Sequence, residues 1–179
     1  ELTDDPLLIA EMDRLFLIAE DPNFEAYVAE LTTLLDSGGK LTSTDLDYLE
    51  DALERAPSLA ELYLLLAKGY AARGEHEDAL EVLMDGHKES PDDPDILLEL
   101  SRVLWKSDQK ELAFDYLNKG LAVNPNHVPL LSTIGLFLFE NGQSEEARTY
   151  LLRAEAISPR SRALADAKRE ISRQMSEKD

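Results

Sequence analysis

The sequence predicts an all-α solenoid, a row of antiparallel helix pairs, on three observations. Four prolines stand 34 residues apart, at Pro57, Pro91, Pro125 and Pro159. A period of that length, closed each time by a helix breaker, is typical of repeated helix-turn-helix units. Large and small residues recur in register between these prolines, and the 179-residue chain is 44% hydrophobic and 31% charged. No apolar run approaches the ~20 residues of a membrane span, so we expect no membrane insertion.

The in-register columns describe how the two helices of each unit pack. The first helix carries an apolar stripe, and the second alternates large residues with small ones, because helices approach closely only where neither carries bulk. Each unit's open face is then covered by the next unit. The first-helix columns are Tyr63, Leu97 and Leu131, then Leu66, Leu100 and Ile134; the second-helix columns are Ala79, Ala113 and Ala147, then Leu83, Leu117 and Leu151, then Gly86, Gly120 and Ala154.

Residues 60–161 resemble the tetratricopeptide repeat (TPR) family over three consecutive units, 60–93, 94–127 and 128–161. The segment LYLLLAKGYAARGEHEDALEVLMDGHKESP, from Leu62 to Pro91, carries most of the family consensus. One departure is Asp108, which stands where Gly74 and Gly142 make the turn between the two helices. The resemblance implies a right-handed TPR superhelix.

The flanking segments extend this pattern. Residues 23–59 match a degenerate TPR with one extra residue in its turn, and residues 1–22 are predicted to hold a helix that is half a repeat or a cap. Residues 162–179 are predicted to form a C-terminal capping helix with a polar outer side, which a solenoid needs for solubility. Among the helix starts, Ser58 and Glu61 have the spacing of a capping box, and Asp93 before Pro94 is a favourable N-cap and first-turn pair.

The charge of the chain is uneven. Lys and Arg number 18 against 37 Asp and Glu, a net charge of −19, and residues 1–59 alone carry 15 acidic and 3 basic side chains. Such a balance repels nucleic acid and anionic membranes. A solvated acidic surface explains it, and a basic partner on the N-terminal half is the alternative.

We expect no catalysis, no cofactor and no metal site. The three histidines, His76, His87 and His127, have no companions at metal-ligand spacing, and the chain lacks phosphate-binding glycine loops and nucleophile motifs. The absence of cysteine excludes thiolate chemistry; it leaves the compartment open, with the cytoplasm favoured.

Binding of a partner is therefore the expected function. In the TPR family the first helices line a concave groove, and mapping that groove onto this sequence gives an apolar, weakly basic surface suited to an amphipathic helix or an extended segment with acidic flanks. The predicted partner-binding residues are Leu64, Lys68, Leu98, Arg102, Trp105, Lys106, Leu136 and Phe139. Trp105 is the predicted anchor, with inter-repeat packing as the alternative role for its ring. The family's clamp for a C-terminal carboxylate is disfavoured, because its positions hold mainly Leu, Glu, Thr and Ala.

Three functions stay open from the sequence. The first is a non-catalytic protein–protein interaction module that binds a peptide or helix of a partner. The second is an accessory TPR domain of a larger, possibly enzymatic chain, since a sequence starting at Glu1 without Met is expected to come from a longer product. The third is a self-associating array, a homodimer that forms through the helix at Pro6–Glu20.

Overall fold

The expected all-α architecture is confirmed. The computed structural model describes residues 5–177, and within that range it contains ten α-helices and no strand. The helices are α1 (Pro6–Glu20), α2 (Phe24–Asp36), α3 (Ser43–Arg55), α4 (Ala60–Arg73), α5 (His76–Glu89), α6 (Pro94–Lys106), α7 (Lys110–Val123), α8 (Val128–Glu140), α9 (Ser144–Ile157) and α10 (Arg162–Ser176). None of these helices is long and apolar enough to cross a membrane.

The chain divides into two compact units, with the boundary inside α6: unit 1 runs to Val103 and unit 2 begins at Leu104. In unit 1, α1 packs against α2 and α3, and α4 contacts α2, α3 and α5. The core of unit 1 includes Leu17, Phe24 and Leu49, all 2% exposed or less. In unit 2, α8 contacts α7, α9 and α10, and Leu131, Ala154 and Leu164 form a buried cluster. How the helices upstream of residue 60 divide into repeats stays a prediction.

The small residues that recur in the second helix of each repeat were predicted to let the two helices approach closely, and the structure shows this at Gly86. A Cβ built at Gly86 of α5 would lie 2.9 Å from Cβ and Cγ of Tyr63 in α4, so α4 and α5 approach more closely than any side chain at this position allows. The turn after the first helix is equally specific. Gly74 and Gly142 have φ of +88° and +82°, and Asp108, in the corresponding turn of unit 2, has φ of +60°.

One predicted helix cap is confirmed and another is wrong. Asp93 caps α6, because its Oδ1 accepts hydrogen bonds from the backbone N–H groups of Asp95 and Ile96 at 2.9 and 3.0 Å. Ser58 does not form the predicted capping box. Its hydroxyl and its backbone N–H both donate to Oδ2 of Asp13 in α1, at 2.6 and 3.2 Å. Ser58 therefore ties α1 to the start of α4 instead of capping α4.

Candidate functional site

Unit 1 contains a pocket between helices α2 and α4 that includes predicted partner-binding residues, and we call it the α2–α4 pocket. Its volume is about 240 Å³, and four apolar and four polar or charged side chains line it. The lining residues are Val28, Thr32, Leu35 and Asp36 from α2 and Glu61, Leu64, Leu65 and Lys68 from α4. Two of the predicted partner-binding residues, Leu64 and Lys68, therefore lie in one concave site.

Each of the two helices buries one side in the core of unit 1, and this burial fixes the position of the side chains that line the pocket. Phe24 and Leu31 are the buried residues of α2, and α4 buries Leu62 and Leu66 among others. Residues four apart on a helix lie on one side, one turn above the other. Burial of the core side of α2 and α4 thus leaves Leu64 partly exposed and Lys68 exposed along the same side of α4.

Two ion clusters flank the α2–α4 pocket. At the start of α4, Glu61 is paired with Arg14 of α1 at 2.5 Å, and the other guanidinium nitrogen of Arg14 lies 2.7 Å from Glu25. These hydrogen bonds to Glu25 and Glu61 raise the pKa of Arg14, so its positive charge is fixed. The single positive charge of Arg14 is therefore shared by Glu25 and Glu61, and it compensates the carboxylate of Glu61 only in part.

The second cluster gives the rim its positive charge. Glu99 of α6 accepts a hydrogen bond from Arg102 at 2.7 Å, and the ammonium of Lys68 lies 4.0 Å from the same carboxylate oxygen. The Glu99 side chain is 14% exposed, whereas that of Lys68 is 47% exposed. Two cations thus share one carboxylate, and Lys68 presents the outer charge at the rim of the pocket.

Leu98 differs from the expectation. It was mapped to the exposed groove, but it is 4% exposed and so is not available to a partner on the surface of this structure. The reason is that α6 is packed over a wider arc than the mapping assumed, since Ile96, Leu97, Leu98 and Leu100 are all buried.

The predicted residues of unit 2 surround an aromatic cluster. The ring of Trp105 stacks on Phe137 with centroids 4.2 Å apart and an interplanar angle of 6°, and it meets Phe114 edge to face at 5.7 Å. Its indole N–H donates to Oε2 of Glu140 at 2.6 Å, and the ammonium of Lys110 lies 5.2 Å from the ring centroid. Trp105 therefore has the packing role that stood as the alternative to a ligand role, and part of its surface stays exposed.

The other three predicted residues of unit 2 lie on the same two helices as this cluster. Lys106 at the end of α6 is exposed, and Leu136 and Phe139 of α8 are partly exposed. Lys106 follows Trp105 in sequence, and Leu136 and Phe139 stand on either side of Phe137. Unit 2 therefore contains three partly exposed apolar residues, Trp105, Leu136 and Phe139, and one exposed lysine among the predicted residues.

A larger groove of unit 1 is strongly acidic. It lies among α3, α4 and α5, its volume is about 580 Å³, and it is lined by Glu50, Leu53, Glu54, Tyr63, Leu66, Tyr70, Asp78, Glu81, Val82 and Asp85. The hydroxyl of Tyr70 donates to Glu50, and this bond, together with burial, raises the pKa of Tyr70 to about 12. Five carboxylates thus line a groove on a side of α4 that the α2–α4 pocket does not use. Among residues 5–177, no three His, Asp or Glu side chains are grouped so as to hold a metal ion.

Sequence comparison places the chain in a family. TPR profiles match residues 60–103, 94–127 and 128–161, which together cover more than half of the sequence. The chain belongs to the tetratricopeptide repeat family. A search of curated protein sequences gives no significant match.

Solved structures of other TPR proteins share the fold. TTC0263, a thermophilic TPR protein from Thermus thermophilus, superposes with a TM-score of 0.73 at 19% identity, covering 96% of this chain and 99% of TTC0263. MamA gives a TM-score of 0.60 at 21% identity, with coverage of 80% and 83%. YrrB, described as a TPR protein with an unusual peptide-binding site, gives 0.55 at 21% identity, with coverage of 81% and 74%. At these identities the likeness shows the fold alone.

The sequence mapping missed the contribution of α2. Val28, Thr32 and Leu35 line the α2–α4 pocket, and the signal that could have found them was present, because these three residues align with first-helix positions of the repeats downstream. The predicted binding residues all lie after residue 60, where the family consensus is strong, and so they do not include the part of the pocket that α2 contributes.

Proposed function

We propose that this chain is a non-catalytic protein–protein interaction module whose α2–α4 pocket receives an apolar side chain of a partner peptide or helix. The observation that carries the proposal is the placement of Leu64 and Lys68 together in that pocket, with apolar lining residues from both α2 and α4. Membership of the TPR family supports a role in protein–protein interaction, and the pocket and its ligand are our proposal.

The size of the pocket favours a peptide side chain over a small molecule. Sites for small molecules usually enclose ~300–1,000 Å³, and this pocket encloses about 240 Å³. It suits one or two apolar side chains projecting from a longer segment, which then continues over the exposed surface of α4. Another TPR domain has been solved with a bound peptide: the first TPR of Spaghetti (RPAP3), in complex with the HSP90 peptide SRMEEVD. It superposes on this chain with a TM-score of 0.54 at 19% identity, covering 65% of this chain and 93% of the RPAP3 domain.

The charged residues around the α2–α4 pocket indicate which kind of peptide segment it would bind. Arg14 divides its charge between Glu25 and Glu61, and Asp36 also lines the pocket. Lys68 is the one cation among the lining residues; it shares Glu99 with Arg102 and is the more exposed of these two side chains. The ligand proposed is therefore an apolar anchor with a carboxylate close to it in sequence. An exposed ion pair adds only ~0.2–1 kcal/mol, so the apolar anchor supplies most of the affinity and Lys68 supplies the preference for acidic neighbours.

The surface of unit 2 is a second candidate on its own. Trp105, Lys106, Leu136 and Phe139 would offer a partner the same combination of apolar area and one positive charge. Arg102 belongs to the unit 1 site through its bond to Glu99, and Leu98 is left out of the proposal because it is buried.

A selection of peptides from a random library against the whole chain, followed by calorimetric titration of the winning peptide, tests the proposal. Leu64→Glu places a charge among the apolar lining residues, and we expect it to weaken binding at least about thirtyfold, which corresponds to a hot-spot loss of ~2 kcal/mol. Lys68→Glu should weaken binding about threefold to tenfold.

The matched control is Lys88→Glu, which makes the same charge change on α5, where Lys88 is exposed and pairs with Asp85 at 2.6 Å. We expect its affinity to lie within about twofold of the wild type. All three variants must keep the wild-type melting curve. Equal losses for Lys68→Glu and Lys88→Glu would mean that net charge, and not the pocket, drives binding. A peptide that binds Leu64→Glu unchanged would refute the site.

A further inference from the structure

Helix α1 is apolar on two opposite sides. On one side Leu17, which is 2% exposed, joins the core of unit 1, and Ala10 and Ile18 pack against that core. The opposite side is exposed and carries Leu8, Ile9, Met12, Leu15 and Phe16, with exposed fractions between 38% and 62%. A helix that is apolar on two opposite sides is suited to a position between two packed layers. Unit 1 supplies one of those layers.

The exposed side of α1 has the spacing of a helix–helix seam. Leu8, Met12, Leu15 and Ala19 follow one another at intervals of four, three and four residues, which is the repeat that keeps one stripe facing a second helix. Ile9 and Phe16 lie along one edge of this stripe, one heptad apart. We call these six residues the α1 seam.

We propose that the α1 seam is a homodimer interface, in which α1 packs antiparallel against α1 of a second copy of this chain about a two-fold axis. The axis passes between Met12 and Leu15. Leu8 then lies opposite Ala19 of the second copy, and Met12 lies opposite Leu15 of the second copy. Each end of the seam pairs a large residue with a small one, so the stripe is complementary to itself, as an isologous contact requires.

The exposed area is sufficient for a weak dimer. The five large seam residues together expose the equivalent of about two and a half complete side chains. At ~200 Å² for each large side chain this is about 500 Å² per copy and about 1,000 Å² for the pair, the area at which specific interfaces begin.

The charges of the chain supply a signature that separates a second copy from another partner. The α1 seam contains no charge, but Glu11 and Glu20 are exposed on α1, and each copy carries a net charge of −19. Two such copies repel, so salt should tighten the dimer. A basic partner helix on the same seam would instead be released by salt.

Sedimentation equilibrium of the whole chain, from low micromolar to several hundred micromolar at low and high salt, tests the proposal. The sensitive variant is Leu15→Glu. The matched control is Leu152→Glu on α9, because the two leucines are 56% and 53% exposed and the substitution is the same. We expect the wild type and Leu152→Glu to approach the mass of two copies as concentration rises, at lower concentration in high salt. Leu15→Glu should keep the mass of one copy.

Every other outcome overturns the proposal. A wild type that keeps the mass of one copy throughout has no such interface, and a dimer that Leu152→Glu breaks while Leu15→Glu does not has its interface elsewhere. Dimers that weaken with salt contradict the charge argument, and masses beyond two copies contradict a closed two-fold contact.

Cross-linking tests the antiparallel geometry without depending on Leu15→Glu. The chain has no cysteine, so Leu8→Cys and Ala19→Cys each introduce one thiol on the α1 seam. A short bismaleimide should join a mixture of the two variants in much higher yield than either variant alone. Equal yields from the mixture and from either single variant would refute the antiparallel register. Neither experiment depends on the α2–α4 pocket, so this inference and the proposed function can fail separately.

Discussion

Replacement of Trp105 by alanine should destabilise unit 2 by about 2–3 kcal/mol. A fully buried Trp→Ala change costs ~3–5 kcal/mol, a figure that already includes lost ring contacts such as those with Phe137 and Phe114. Trp105 is only partly buried, so the expected cost lies somewhat below that range. Trp105→Phe keeps a ring over Phe137 and loses the bond from the indole N–H to Glu140, and it should cost about 1 kcal/mol.

Urea unfolding followed by far-ultraviolet circular dichroism measures both changes. Leu152→Ala is the control, because Leu152 is exposed on α9 and a surface substitution of this kind stays within about 0.5 kcal/mol. If Trp105→Ala unfolds at the same urea concentration as this control, the aromatic cluster contributes nothing to the stability of unit 2. The reasoning would then be refuted, and the ring would be available to a ligand as the sequence-based prediction had it.

Three further predictions concern particular residues. Phe24→Ala should cost ~3–5 kcal/mol in urea unfolding, because Phe24 is 2% exposed in the core of unit 1; a cost below about 1 kcal/mol would contradict that placement. Asp108→Gly should stabilise the chain by about 0.5–1 kcal/mol and Gly142→Ala should destabilise it by about 1 kcal/mol or more, because both positions have positive φ; the same sign for both in thermal melts would be inconsistent with this geometry. Burial and the hydrogen bond to Asp21 raise the pKa of Tyr48 to about 12. The stability that Tyr48 contributes is therefore complete below its unfolded pKa near ~10 and is lost as pH rises to about 12. Tyr48→Phe should remove this part of the alkaline loss of stability, and an unchanged dependence of stability on alkaline pH would count against it.

The fold could be predicted because its determinants repeat. Each 34-residue unit carries the same large and small positions, and the structure shows why: at Gly86 the helices are so close that a Cβ would lie 2.9 Å from Tyr63. The turn chemistry was visible as well, since Gly74 and Asp108 occupy corresponding turns, both with positive φ. Local chemistry that recurs three times leaves a signal even in one sequence.

The site could be predicted only in part, because it depends on contacts between segments far apart in the chain. Ser58 has the spacing of a capping box, but Asp13 of α1 competes for its hydroxyl, and nothing in the local sequence signals that contact. Leu98 fits the periodicity of an exposed position, but the wider packing of α6 buries it. The α2 wall of the pocket, including Val28 and Leu35, lies in the segment where the repeat pattern is weakest.

An amide chemical-shift titration of the labelled chain with a peptide selected from the library locates the binding site residue by residue. Binding in the α2–α4 pocket predicts that the largest shifts fall on residues 28–36 and 61–68, and that Leu64→Glu abolishes them. Largest shifts around the acidic groove of α3, α4 and α5, or confined to unit 2, with the α2–α4 pocket unperturbed, would contradict the proposed site.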